Sequence, residues 1–139
     1  MKNLLKVVVI MLLSMTVVLG SCKKEESVDP PPAAYIPSFS ATYFSAGVIG
    51  GIEVIDVYIT CTSDDWEMIK VDVKGPGGGF DKLYSGNGAL QLRGEPFTFT
   101  DYFPKLGGSW SFNITGNVKS GEHLGTSFVT STQLNISGK

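Results

Sequence analysis

Chemistry needs side chains that exchange protons, attack or ligate, and this chain of 139 residues holds few of them. Its one histidine, His123, follows Glu122 in the glycine-flanked stretch SGEHLG. A Ser-His-Asp set would need a serine and a carboxylate from elsewhere, and no nucleophile-elbow pattern supplies that serine. A lone turn histidine is ordinarily just solvated, so hydrolytic chemistry is not the expectation. Zinc asks for several His or Cys ligands, and the chain offers His123 and Cys61, far apart. Oxygen ligands are more concentrated. Ser63, Asp64, Asp65 and Glu67 lie in one turn between two strands, which suits calcium if a second loop adds carboxylates or carbonyls. The plain alternative is a polar turn in which Asp64 or Asp65 caps backbone amides. Adjacent Asp64 and Asp65 cannot straddle a sugar, because glycosidase carboxylates stand roughly 5 to 10 Å apart across a cleft. The glycine-rich run GPGGG is followed by no helix whose N-terminus could hold a phosphate. No cofactor is implied.

Aromatic side chains offer contact instead of reaction. Tyr58, Trp66 and Tyr102 stand opposite the apolar set of their segments, and rings of this kind cover the apolar faces of sugars and anchor protein interfaces. They are the candidate ligand contacts. Trp66 also opens a strand, where an aromatic often covers the edge of a core. Tyr43 and Tyr84 have no assignable face.

The most specific signal lies near the N-terminus. Lys2 and Lys6 precede an apolar run from Val7 to Leu13, then Ser14 and a second apolar stretch to Leu19, which is the layout of a secretory signal over residues 1–21. A spanning helix of about 20 apolar residues is the competing reading. It loses at its far end, where Leu19, Gly20, Ser21 and Cys22 give way at once to KKEESVDPPP. The run LGSC resembles the lipobox of bacterial lipoproteins. The resemblance implies that the Cys22 thiol is joined to a diacylglycerol, that the leader is cut before it, and that a lipid anchor holds the protein. One acyl chain binds a membrane only marginally, whereas two or three hold firmly at about 0.8 kcal/mol per buried methylene. Lys23, Lys24, Glu25 and Glu26 behind the cysteine resemble the export signal of surface lipoproteins of the Bacteroidetes type. That resemblance implies placement on the outer face of the outer membrane, and no Asp follows Cys22 to imply retention at the inner membrane. A solvated tether is the plainer reading of the same charges.

Without Lys2 and Lys6, 9 basic side chains remain against 13 acidic ones, a formal charge of 9 − 13 = −4. The charges are dispersed, so nucleic acid is not an expected partner. With Cys22 acylated, Cys61 has no disulfide partner and reads as a small core residue at the end of an alternating segment.

Residues 22–35 include the proline-rich SVDPPPAA, an extended, semi-rigid tether. Residues 36–139 then read as strands almost throughout. Ile55, Val57, Ile59 and Cys61 alternate with Asp56, Tyr58 and Thr60, the period of a half-buried strand. The same period sets Ile69, Val71 and Val73 against Met68, Lys70 and Asp72; Phe97, Phe99 and Phe103 against Thr98, Thr100 and Tyr102; and Trp110, Phe112, Ile114 and Val118 on one face. Phe128, Leu134 and Ile136 form a last set, and SFSATYFS a first strand. Glycine-rich and polar turns separate these runs, and no helical period is present. The expectation is an all-β fold, a single antiparallel β-sandwich of about seven strands. The run LGGSWSFNITG resembles the penultimate strand of immunoglobulin-like and fibronectin-like domains. Leu106, Gly108 and Trp110 stand where those domains carry aspartate, glycine and tyrosine, although Trp110 has no hydroxyl to close a tyrosine corner.

These readings converge on a non-enzymatic, surface-displayed lipoprotein whose partners are outer-membrane lipid, through Cys22, and a glycan or an envelope protein. The alternative is a structural or adhesive module that associates through an edge strand.

Overall fold

The structure, a computed structural model, describes residues 34–138, so the leader, Cys22 and most of the tether lie outside the described residues. Nine strands form: β1 (Phe39–Ile49), β2 (Ile52–Cys61), β3 (Trp66–Lys74), β4 (Asp81–Ser85), β5 (Leu90–Gln91), β6 (Pro96–Thr98), β7 (Phe103–Pro104), β8 (Gly108–Val118) and β9 (Ser127–Ile136). One sheet has the order β1-β2-β6 with β7 also beside β2, and the other has β4-β3-β8-β9 with β5 also beside β3. Every pairing is antiparallel. Since β6 and β7 share one flank of β2, and β4 and β5 one flank of β3, the nine segments fill seven lateral positions. The chain changes sheets at β2 to β3, β5 to β6 and β7 to β8, the connectivity of an immunoglobulin-like sandwich.

The first hairpin closes on Gly50 and Gly51, with Ile49 paired to Ile52. Their φ values of 58° and 82° are those a two-residue primed turn requires, and glycine alone adopts such a pair without steric cost.

Between the sheets the alternation in β2, β8 and β9 holds. Ile55, Val57, Ile59 and Cys61 are buried, as are Trp110, Phe112, Ile114, Val118, Phe128, Leu134 and Ile136. Each large apolar side chain so removed from water contributes about 1.5–3 kcal/mol. Phe103 is central. Its ring centroid lies 5.0 Å from Phe80, 5.1 Å from Phe99 and 5.7 Å from Trp110. These separations and tilts favour edge-to-face attraction.

Strand β3 departs from its expected parity. Val71 and Val73 are buried as expected, but Ile69 is 45% exposed and Met68 only 8%. The cause is a β-bulge: Met68 pairs with Gly116 and Lys70 with Thr115, leaving Ile69 as the extra residue. An inserted residue reverses which face each later side chain takes, so Trp66 and Met68 point inward along with Val71 and Val73.

The missing tyrosine hydroxyl also has a structural answer. Trp110 donates its indole Nε1–H to the Leu106 carbonyl oxygen at 3.1 Å, four residues upstream. A tyrosine corner likewise ties its strand back to the preceding backbone. The Trp110 indole makes a comparable tie.

Candidate functional site

Alternation in β2 turns Asp56, Tyr58 and Thr60 to the outer side of the first sheet. Phe44 lies across the ladder from Asp56, while Tyr58 is flanked by Thr42 on β1 and Thr98 on β6. Phe44 is 65% exposed and meets the Tyr58 ring edge-on, with centroids 5.5 Å apart. Tyr102 is exposed as well. Its neighbour Phe103 pairs with Ile55 and points inward, which sets position 102 on the outer side at the level of Asp56. The two expected tyrosines therefore share one face, and Phe44, which the sequence did not single out, joins them.

Beyond this face the first hairpin projects. Val48 and Ile49 are consecutive in a strand and so point oppositely, yet both they and Ile52 are more than half exposed. The hairpin end thus extends past the cover of the second sheet. The chain enters β1 from Ala34–Ser38 at the other end, so the apolar tip stands away from the point where the tether joins. Large apolar residues gathered in the open are the usual mark of a contact surface.

Trp66, the third expected contact, is corrected by its surroundings. It is fully buried, with Phe39 at 4.9 Å, Phe128 at 6.3 Å and Phe97 at 6.4 Å between ring centroids. The bulge in β3 turns it into the core, where it presents nothing to a ligand. Its Nε1–H has no hydrogen-bond partner among the described residues. Tyr43 and Tyr84 are resolved too: both pack partly buried against the core.

The acidic turn is a clasp. Asp64 is buried and accepts the Tyr35 hydroxyl at 2.5 Å. Asp65 accepts the Arg93 backbone N–H at 2.8 Å, while its own N–H donates to Ser120 Oγ at 2.9 Å. Glu67 pairs with Lys119 at 2.5 Å. The three carboxylates look in different directions, and among the described residues no group of three or more His, Cys, Asp or Glu side chains converges to hold a metal ion. These contacts are those of the polar-turn alternative for Asp64, Asp65 and Glu67: the turn binds together the start of the domain, the loop after β5 and the loop after β8. His123 completes the clasp, its ring stacked on Tyr35 at 3.5 Å and 14°. The hydrogen bond to Asp64 raises the Tyr35 pKa above its usual value, and the Lys119 ammonium holds the Glu67 carboxyl below its own.

Comparison of the chain with family models, with curated proteins and with solved structures gives no match. Among the described residues no helix is long and apolar enough to cross a membrane.

Proposed function

We propose that this chain is a non-enzymatic lipoprotein of the cell envelope, anchored in the outer membrane through acylated Cys22 and displaying its sandwich to the exterior as a binding or accessory module. Its partner is a glycan or an outer-membrane protein. The supporting observation is the outer face that carries exposed Phe44 and Tyr102 with half-buried Tyr58, together with the exposed Val48, Ile49 and Ile52 at the hairpin tip, the end remote from the tether junction. Tyrosine and phenylalanine offer large contact area at small entropic cost. The test is a glycan array and cross-linking on intact cells, run with the full lipoprotein and with the triple variant F44S/Y58S/Y102S. Binding to a defined glycan or envelope protein that the variant loses is the expected result. If the wild type engages neither, the reading fails.

The alternative, a structural module joined by an edge strand, has its own support. The two long edge strands, β1 and β9, run 11 and 10 residues without one charged side chain. On the opposite flank β4 is short and carries Asp81 and Lys82, and β6 and β7 are short and carry Pro96 and Pro104. Proline, charge and brevity are how sheets discourage pairing with other chains. Here they guard one flank only.

A further inference from the structure

On that guarded flank, where β4 and β6 face each other at the mouth of the sandwich, a cleft of ≈ 170 Å³ opens between the sheets, lined among others by Tyr84, Asn87, Phe97, Thr98, Phe99 and Thr100. Clefts that enclose a drug-sized molecule measure about 300–1,000 Å³, so this one is scaled to a single ring. Its walls are aromatic: Tyr84 and Phe99 lie 4.7 Å apart at 58°, and Phe97 and Phe99 lie 5.1 Å apart at 82°, which presents both ring faces and edges. The loop after β4 is fixed against β3 by Gly86. Its N–H donates to the Ile69 carbonyl at 2.7 Å, and a side-chain carbon at that position would fall 1.7 Å from the Met68 carbonyl oxygen.

The polar groups of the cleft are neutral, and two of them have no ordinary hydrogen-bond partner among the described residues. Asn87 uses its side-chain carbonyl to accept the Ala89 N–H at 3.0 Å, which leaves its NH2 unengaged among the described residues. The Tyr84 hydroxyl is buried, and among the described residues nothing meets it in ordinary hydrogen-bond geometry, although the Asp101 carboxylate lies toward it. Asp101 lies near enough to disfavour its ionisation, yet no hydrogen bond of ordinary geometry joins them. Asp101 is instead committed to Lys82 at 2.5 Å, a pair that closes on itself beside the Tyr84 ring. An ionic ligand would find no counter-charge among the lining side chains. A wholly apolar one would leave the Tyr84 hydroxyl as it is, whereas a ligand hydroxyl would give it a partner. What fits aromatic faces ringed by neutral donors and acceptors is a ring with apolar faces and a hydroxylated rim.

We infer that this cleft binds one neutral sugar ring, stacked on the Tyr84, Phe97 and Phe99 side chains and hydrogen-bonded by the Tyr84 hydroxyl and the Asn87 amide. The site is separate from the Phe44, Tyr58 and Tyr102 face and does not depend on that face binding anything.

The test is residue-resolved NMR of the labelled full chain in detergent micelles, titrated with methyl glycosides of neutral hexoses and N-acetylhexosamines and, in parallel, with inorganic phosphate and with benzene. The expected result is saturable shifts at Tyr84, Asn87 and Phe99 with at least one glycoside. Tyr84→Phe, which preserves packing, and Asn87→Ala should each weaken that binding roughly 5- to 10-fold, as loss of one hydrogen bond implies. Four results would overturn the inference: no shift with any sugar, shifts confined to Tyr58 and Tyr102, sugar affinity unchanged in both variants, or phosphate or benzene binding the cleft more tightly than every glycoside. The folded spectrum of Tyr84→Phe guards against reading an unfolded variant as a loss of affinity.

Discussion

Trp66 and Trp110 are both fully buried, and they differ by one hydrogen bond: Trp110 donates to Leu106, while the Trp66 indole N–H has no partner among the described residues. Trimming either ring to phenylalanine loses a similar apolar volume, but only at 110 does it also orphan a carbonyl. Trp110→Phe is therefore expected to destabilise the domain by about 1 kcal/mol more than Trp66→Phe, measured by chemical denaturation. Ionisable residues give a second test. Lys82 hydrogen-bonds Asp101 and lowers its carboxyl pKa, as Lys119 does for Glu67, so both folded pKa values lie below the ordinary 3.8 and 4.5. A depressed carboxyl stabilises fully above its unfolded value and loses that contribution as pH falls through the folded one. Acid destabilisation should accordingly begin below about pH 4.5, and the double variant D101N/E67Q should flatten it. Tyr84 moves the other way, pushed up by burial first and by the Asp101 charge second. Its contribution is complete below the ordinary tyrosine value of 10.0 and is lost as pH rises beyond it, so Tyr84→Phe should remove part of the alkaline loss. Denaturation midpoints across pH read both limbs.

Among the elements, β2, β8 and β9 were legible because a strict period of two coincides with one buried face. The bulge at Ile69 was not, since the extra residue is defined by its partners Gly116 and Thr115, far away in sequence. That one residue explains why Trp66 looked available for a ligand and is not. GEPFTFTDYF read as one strand, whereas the structure separates β6 from β7, and Asp101 between them is drawn to Lys82. Phe44 escaped notice because Tyr43 and Phe44 are consecutive aromatics and only the pairing with β2 tells which faces out. The cleft of Tyr84 and Asn87 was illegible for the same reason, being assembled from β4, its following loop and β6. The uncharged edges supply a prediction at this scale. If β9 recruits another strand, Ser131→Lys on its outward side should abolish concentration-dependent oligomers in sedimentation while leaving the melting curve of the monomer in place. Oligomers unaffected by the substitution would remove β9 from that role.

For the whole molecule, the long strands set the geometry. An 11-residue β1 at about 3.3 Å per residue separates the tether junction from the apolar hairpin tip by roughly 35 Å. The proposed anchor is tested directly: Cys22→Ala should move the protein out of the membrane fraction, and mass spectrometry of the wild type should find the leader absent and residue 22 acylated. An unmodified Cys22 still preceded by its leader would end the account of location. The remaining cysteine has a consequence of its own. The Cys61 side chain lies wholly between the sheets, so an alkylating reagent reaches its sulfur only when the layers part. Its modification rate under native conditions is therefore a built-in clock for the breathing of the sandwich. A partner that clamps the fold would slow that clock.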